Sequence, residues 1–242
     1  MGPALHGGRK GPVGVLAVQG SFALHLACLA RLGVEGRAVR TPRDLEGLAG
    51  LILPGGESTV MSLLMRKYGI FEPLRELGRG GFPLFGTCAG AILIGLGDGA
   101  PPRLDLAPVR LLRNAYGTQI DSFTARLDLA ILSTPFHGVF IRAPRIIGGI
   151  SEVEPEAPRA PLRARTEVLG THRGDPVLVR TGRILLSTFH PELTQDLRIH
   201  AYFMGMCSDA RREDRMRAAG MEPDPEGCRR VERLAGPFAA RP

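Results

Sequence analysis

The stretch PLFGTCAGAILI, residues 83–94, decides the fold and raises the question of function. An apolar run over 82–85 predicts a buried strand, and residues 89–96 predict an apolar helix. Cys88 stands at the corner between them, with a glycine two residues away on each side. The pattern Gly-x-Cys-x-Gly is typical of a nucleophile elbow, a tight turn that presents its central side chain above the sheet edge. Taken alone, the pentapeptide fits a buried structural cysteine in a glycine turn equally well.

The chain on both sides of the elbow alternates between apolar strands and helices. VGVLAVQG, residues 13–20, is a continuous apolar run that ends in glycine, as expected for a strand buried on both faces. Further strands are predicted at 37–40 and 51–53, and helices at 22–32, 42–48, around 61–65 and around 73–77. This alternation predicts an α/β fold, a doubly wound and mostly parallel sheet with helices on both faces.

After about residue 105 strand-like segments dominate, and we expect them to add antiparallel strands to the same sheet. They are 107–112, 123–129, 138–143, 145–150, 176–180 and 183–189. A last helix is predicted over 194–206. The 242 residues are therefore divided into a leader (1–12), one domain (13–207) and a peripheral or partly disordered tail (208–242) that is rich in Arg, Asp, Glu, Gly and Pro.

Composition narrows the class of protein. The formal net charge is +7, but there is no basic run with interleaved aromatic residues, so we expect no nucleic-acid partner. No apolar segment is long enough to span a bilayer, and the first residues lack the apolar core of a signal peptide. Four cysteines without a CxxC pair argue against a zinc site and a disulfide framework. These features predict a cytoplasmic protein without a metal.

A nucleophilic cysteine needs a base, and His190 is the best candidate. It follows the strand-like segment ILLSTF, at the carboxyl end where open α/β sheets place their sites. In an extended segment residues i and i+2 face the same side, so Glu192 is expected to accept a hydrogen bond from the His190 ring. The alternative is a surface turn. The other histidines considered are interpreted as surface or packing residues: His25, His137, His172 and His200.

PGGES, residues 54–58, is the third notable segment. Two glycines after a buried strand can bring backbone N–H groups close to a ligand oxygen. An ordinary glycine turn is the preferred interpretation of this segment alone. Glu57 and Ser58 are also common helix-start residues, which gives them a local structural explanation.

Together these segments resemble the class I glutamine amidotransferases, in particular the branch formed by glutaminase subunits of pyridoxal phosphate synthase. The resemblance covers residues 13–206. Gly-x-Cys-x-Gly with His-Pro-Glu marks the superfamily. The branch is marked by the joint occurrence of PGGEST, RNAYG, FIRAP and HPELTQDLR. The other shared segments include GVLAVQG and YGIFEPL.

The resemblance implies a role for each matching residue. Cys88 would be the nucleophile, His190 the general acid and base, and Glu192 its orienting partner. The oxyanion would be held by backbone N–H groups of Gly56 and Ala89. The residues implied to line the bound glutamine are Gly56, Glu57, Ser58, Arg113, Ile141 and Arg142, and Gln19 matches a position near the synthase interface.

One residue departs from the family pattern, because Thr118 stands where the family commonly has Arg. The resemblance implies hydrolysis of L-glutamine to glutamate and ammonia, without a cofactor. A separate, barrel-type synthase subunit would use the ammonia to build pyridoxal 5'-phosphate in a large hetero-oligomer. Two alternatives are an amidotransferase subunit for another synthase, such as that of the histidine or purine pathway, and a catalytically silent scaffold subunit.

Overall fold

The computed structural model describes residues 11–97, 101–113, 122–148 and 164–218. In these ranges the strands are β1 Val13–Leu16, β2 Gly36–Val39, β3 Gly50–Leu53, β4 Leu84–Thr87, β5 Arg110–Leu112, β6 Ser122–Leu127, β7 Phe136–Ile141, β8 Arg145–Gly148, β9 Thr166–His172, β10 Asp175–Thr181 and β11 Ile184–Ser187. The helices are α1 Phe22–Arg31, α2 Ser58–Lys67, α3 Phe71–Arg79, α4 Ala89–Ile94 and α5 Arg198–Ala218, with 3-10 turns at Pro42–Leu45 and Pro191–Leu193.

The main sheet has seven strands in the order β2-β1-β3-β4-β11-β10-β9. The first five of these are parallel to one another. β10 runs antiparallel to both of its neighbours, β11 and β9. The predicted α/β fold with a mostly parallel sheet and added antiparallel strands is confirmed.

Two hydrophobic clusters, one on each face of the sheet, explain why the inner strands β1 and β3 carry no polar side chain. Leu53 of β3 packs in the cluster that contains Met61 of α2. Ile52, the preceding residue, belongs to the opposite cluster together with Leu29 of α1 and Phe203 of α5. Because successive strand residues point to opposite faces, a strand covered on both sides must be apolar at every position.

The antiparallel part differs from the prediction in two respects. β5 pairs with β8 and β6 pairs with β7 in two separate two-stranded sheets, so the expectation that all later strands join the main sheet was wrong. β9 was not predicted at all. It lies at the edge of the main sheet with several exposed residues, and its position is set by pairing with β10 rather than by its own pattern.

Three predicted helix boundaries also shift. The helix predicted over 42–48 is a 3-10 turn that ends at Leu45, where the chain becomes extended at Glu46. α4 ends at Ile94, because the backbone of Gly95 is extended. α5 begins at Arg198, after Asp196 accepts a hydrogen bond from the Arg198 N–H at 3.0 Å.

α5 continues to Ala218, so the predicted domain boundary at 207 falls inside a continuous helix. Ala210 is buried, and Arg183, in the turn before β11, donates to Glu213 at 2.6 Å and to Asp214 at 3.0 Å. Residues 1–10 of the leader and 219–242 of the tail lie outside the described residues. None of the helices in the described part of the chain has the length and apolar character needed to cross a membrane.

Candidate active site

Cys88 occupies the turn between β4 and α4 in a left-handed backbone conformation with φ 48°. Residues other than glycine rarely adopt positive φ, so the surroundings must enforce it. Close packing at Gly86 and Gly90 fixes the backbone on both sides of Cys88 and so enforces its positive φ. A β-carbon on Gly86 would lie 2.8 Å from the Ala91 nitrogen, and one on Gly90 would lie 2.0 Å from the Leu53 carbonyl oxygen. The predicted elbow is confirmed as a backbone geometry.

The pairing of β4 with β11 brings the histidine to the cysteine. The two strands are parallel, and Ser187 at the end of β11 pairs with Thr87 at the end of β4. The Cys88 N–H then donates to the Ser187 carbonyl at 2.8 Å. The segments that follow β4 and β11 therefore leave the sheet at the same edge. His190 and Glu192 are almost completely buried there.

The predicted contact between His190 and Glu192 is present, with Nδ1 2.8 Å from Oε1. Its backbone cause differs from the prediction, because the segment is not extended. Pro191–Leu193 forms a 3-10 turn that brings Glu192 back to the ring. Since a carboxylate only accepts, Nδ1 donates to it. The Nε2 atom is buried and has no hydrogen-bond partner among the described residues.

Charge and burial together set the protonation of this pair. Burial favours neutral His190, but Cys88 and Glu192 outweigh burial and raise the pKa of His190 to about 10. Burial likewise favours neutral Glu192, but His25, His190 and Ser21 outweigh it and lower the pKa of Glu192 to about 2. At neutral pH an imidazolium therefore faces a carboxylate.

Two polar residues without an assigned role in the sequence analysis contact Glu192, and a third lies behind one of them. Ser21, just before α1, donates its hydroxyl to Oε1 at 2.7 Å. His25 of α1 is fully buried, with Nε2 3.4 Å from Oε2 of Glu192 and 3.2 Å from the Thr87 hydroxyl. His200 of α5 lies behind it, with Nε2 3.0 Å from His25 Nδ1. The interpretation of His25 and His200 as packing residues overlooked these contacts, and no sequence spacing signals them.

The PGGES segment packs directly on the histidine. A β-carbon on Gly55 would lie 2.2 Å from His190 Cε1. The Gly55 carbonyl accepts from the Ser21 N–H at 2.9 Å, and the Glu57 N–H donates to Gln19 Oε1 at 2.9 Å. The loop between β1 and α1 therefore holds the PGGES segment in place through its backbone.

The side chain of Glu57 begins α2. It accepts from the backbone N–H groups of Thr59 at 3.1 Å and Val60 at 2.8 Å, as its helix-start interpretation predicted. Arg113 adds an ion pair to the same carboxylate at 2.9 Å and donates to the Thr59 hydroxyl at 3.1 Å. The structure thus brings two of the predicted glutamine-lining residues into direct contact.

The remaining predicted site residues lie around the elbow. Ser58 is buried at the first position of α2. Ile141 places its carbonyl oxygen 3.9 Å from Cys88 Sγ, and the next residue, Arg142, is exposed with φ 43°. Ala89 is the first residue of α4, where a backbone N–H has no partner within the helix and is available to a ligand oxygen.

Other sequence expectations fall outside what the structure describes. Thr118 lies within 114–121, which are not among the described residues.

Across the four described ranges, no three His, Cys, Asp or Glu side chains are grouped as metal ligands.

Comparison with solved structures defines the class of protein. A structure described as a glutamine amidotransferase matches with a TM-score of 0.72 and 44% sequence identity, over 82% of this chain and all of that chain. PurLQS from Thermotoga maritima matches with a TM-score of 0.54 at 15% identity, over 81% of this chain, and shares the fold alone. The architecture is that of the glutamine amidotransferases.

Sequence comparison narrows this class. The chain belongs to the SNO glutamine amidotransferase family, whose model matches residues 15–209. Pyridoxal 5'-phosphate synthase subunit PdxT of Moorella thermoacetica is 47% identical over 197 residues, which is 80% of this chain and 98% of the relative. The protein of the same name from Thermus thermophilus is 46% identical, over 81% of this chain and 97% of the relative.

Proposed function

We propose that this chain hydrolyses L-glutamine to glutamate and ammonia and delivers the ammonia to a pyridoxal 5'-phosphate synthase. Membership of a glutamine amidotransferase family and the names of the relatives support the reaction and its destination. The single observation that carries the chemistry is the buried His190–Glu192 hydrogen bond of 2.8 Å beside an elbow cysteine.

In the first half-reaction the Cys88 thiolate attacks the side-chain amide carbon of glutamine. The proton needed by the departing nitrogen is on His190, whose pKa is raised to about 10, so the imidazolium is the dominant form at neutral pH. It donates that proton as the C–N bond breaks, and ammonia leaves. The products of this step are free ammonia, neutral His190 and a thioester on Cys88.

In the second half-reaction water cleaves the thioester. Neutral His190 takes a proton from the water as its oxygen attacks the thioester carbon, and Glu192 stabilises the imidazolium that forms again. The C–S bond breaks, and glutamate and the thiolate are released. In both steps the Ala89 N–H and a backbone N–H from Gly56 bind the negative oxygen.

Glutamine would lie between the PGGES segment and the Ile141–Arg142 corner. Arg113 is the cation available to the α-carboxylate of glutamine. It is held 2.9 Å from Glu57 in the structure, so substrate would share the guanidinium with that carboxylate. Ser58 and the Ile141 carbonyl complete the polar surface of the pocket.

Gln19 is the proposed link to the synthase. Its side chain accepts the Glu57 N–H, and a β-carbon on Gly56 would lie 2.4 Å from Gln19 Oε1. Movement of Gln19 on docking would therefore shift the Gly56–Glu57 peptide, which directly follows the peptide proposed to supply the oxyanion N–H of Gly56. We propose a barrel-type synthase subunit in a large hetero-oligomer as the partner, in the cytoplasm, where the Cys88 thiol stays reduced.

Glutaminase turnover, measured with and without the cognate synthase, tests the proposal. We expect synthase to raise the rate by about a hundredfold to a thousandfold, the value of one oxyanion donor. Synthases of the histidine and purine pathways serve as controls and should neither raise the rate nor incorporate the ammonia. Absence of turnover under all conditions would favour a silent scaffold, and activation by another synthase would assign the subunit to that pathway.

A further inference from the structure

We infer that His25 is a positioning residue for the glutaminase reaction, acting through Glu192 as a neutral hydrogen-bond donor. This inference rests on the proposed Cys88–His190–Glu192 triad. His25 belongs to α1, far from the triad in sequence, and is completely buried.

His25 contacts both the residue before the proposed nucleophile and the carboxylate of the triad. Its Nε2 atom lies 3.2 Å from the hydroxyl of Thr87, the residue before the nucleophile, and 3.4 Å from Oε2 of Glu192. The other carboxylate oxygen, Oε1, is already occupied by His190 Nδ1 at 2.8 Å and the Ser21 hydroxyl at 2.7 Å. Among the described residues, Oε2 is buried without a formed hydrogen bond, and His25 Nε2, 3.4 Å away, is the nitrogen that faces it.

The contacts on the far side of the ring select one tautomer. His25 Nδ1 lies 3.0 Å from His200 Nε2, so one nitrogen must donate and the other accept. If Nδ1 of His25 carried the proton, its Nε2 lone pair would face the Glu192 carboxylate. The buried Nδ1 of His200, for which the described residues offer no partner, would then carry an unpaired N–H.

The opposite assignment of the protons avoids both the lone pair that faces the carboxylate and the unpaired N–H on His200. With protons on both Nε2 atoms, His200 donates to His25, and His25 points its N–H at Thr87 and Glu192. The unpaired atom is then only a buried acceptor, which proteins tolerate better than a buried donor. Burial among apolar groups such as Phe85, 6.3 Å from the His25 ring, keeps the pKa of His25 below its ordinary value and the ring neutral.

A neutral donor suits this position. A second imidazolium beside His190 would compete for the carboxylate, whereas a neutral N–H restrains its rotation and leaves its charge for His190. Without it, Glu192 keeps only the partners on Oε1 and can turn away from the ring. The expected consequence is a slower proton transfer at unchanged substrate affinity.

The test compares two nearly isosteric replacements, His25→Met and His25→Gln, in the complex with saturating synthase. The side-chain amide of Gln can present an N–H toward Glu192, and Met cannot. We expect His25→Met to lower kcat for glutamine by about tenfold at unchanged KM, and His25→Gln to recover most of the loss. Leu29→Ala, a buried change on the same helix, controls for loosened packing and should lower the melting temperature but not kcat.

Each outcome is informative. Wild-type kcat in His25→Met, or equal losses in the Met and Gln variants, would overturn the inference, the second by assigning the effect to packing. If His25→Met does not fold, His25→Leu takes its place against the same Gln variant. Cys88→Ala is measured in parallel, because turnover there would refute the triad itself rather than the role of His25.

Discussion

Gly55 lies directly against the imidazole of His190, so closely that a β-carbon at position 55 would be 2.2 Å from Cε1 and 2.7 Å from Nδ1. The glycine pair of the PGGES segment therefore has a steric role beside its backbone freedom. It lets the loop that we propose as the source of an oxyanion donor lie against the proposed base.

Gly55→Ala is expected to displace the His190 ring and lower kcat by about tenfold or more, because the added methyl group meets buried atoms with no space to yield. Steady-state glutaminase rates with synthase measure the effect. Gly148→Ala is the matched control, since a β-carbon there has no neighbour within 4 Å. Equal activity of Gly55→Ala and the control would contradict the close packing on the histidine.

Cys88→Ala is expected to reduce glutamine hydrolysis by at least about a thousandfold while the fold is kept, because a corner thiol contributes little to the core. A glutamine-analogue electrophile should label Cys88 alone, and the site is read by mass spectrometry in a Cys228→Ser background. Burial raises the pKa of Cys28, and it raises the pKa of Cys207 to about 12, so both are inert thiols. Label on either of them, with turnover intact in Cys88→Ala, would refute the nucleophile.

Glu192→Gln is expected to slow hydrolysis less than His190→Asn, because the carboxylate orients the group that moves the proton. The gap should be on the order of tenfold or more. The kcat of each variant in the complex with synthase is the measurement, with circular dichroism to verify folding. Wild-type rates in both variants would mean that the His-Pro-Glu turn is structural.

Gln19→Ala is expected to leave the glutaminase rate low even when the synthase is saturating. The variant loses the acceptor for the Glu57 N–H, and with it the contact that ties the PGGES segment to the β1–α1 loop. Titration of synthase against wild type and variant, with binding measured separately, distinguishes lost activation from lost docking. A free wild-type subunit that already turns over at its maximal rate would rule out activation by the partner.

Acidification is expected to destabilise the protein through its buried histidines. Burial lowers the pKa of His200 from 6.5 to about 3, so between these values the unfolded chain binds a proton that the native state does not. The free energy of unfolding therefore falls as pH falls from 6.5, by up to about 1.4 kcal/mol per pH unit for each such histidine.

Urea unfolding at pH 6.5 and pH 5 measures this slope. His200→Leu should flatten it without abolishing it, because His25 titrates in the same direction. Glu192, whose pKa is lowered from 4.5 to about 2, changes the free energy of unfolding mainly below pH 5. A slope in His200→Leu as steep as that of wild type would contradict a neutral, buried His200.

The parallel half of the fold could be predicted because short, mostly apolar strands such as β1 and β3 alternate with longer segments of helical spacing. The elbow could be predicted because its close packing requires small residues at 86 and 90, and the Gly-x-Cys-x-Gly pattern shows this requirement within five residues. Both signals are local in sequence. The hydrogen bond from His190 to Glu192 was also predicted, although a 3-10 turn rather than an extended segment produces it.

What the sequence did not reveal depends on contacts between distant segments. His25 and Ser21 reach Glu192 from α1 and the residue before it, and nothing in their spacing indicates a carboxylate 171 residues away from Ser21. β9 is an edge strand whose exposed positions obscure the apolar pattern. The end of α5 was missed because its last turns are held by ion pairs to Arg183, which hydrophobic periodicity does not register.

The Arg183 ion pairs with α5 also bear on how independently this molecule can be altered. Arg183 precedes β11 and His190 follows it. The four residues of this strand, about 13 Å long, therefore separate the Arg183 ion pairs from the edge of the sheet where His190 lies. Sites farther apart than about 7–10 Å that share no partner usually contribute additively to stability. The terminal turns of α5 can therefore be redesigned for stability, by evolution or in the laboratory, with little epistasis toward the proposed catalytic residues.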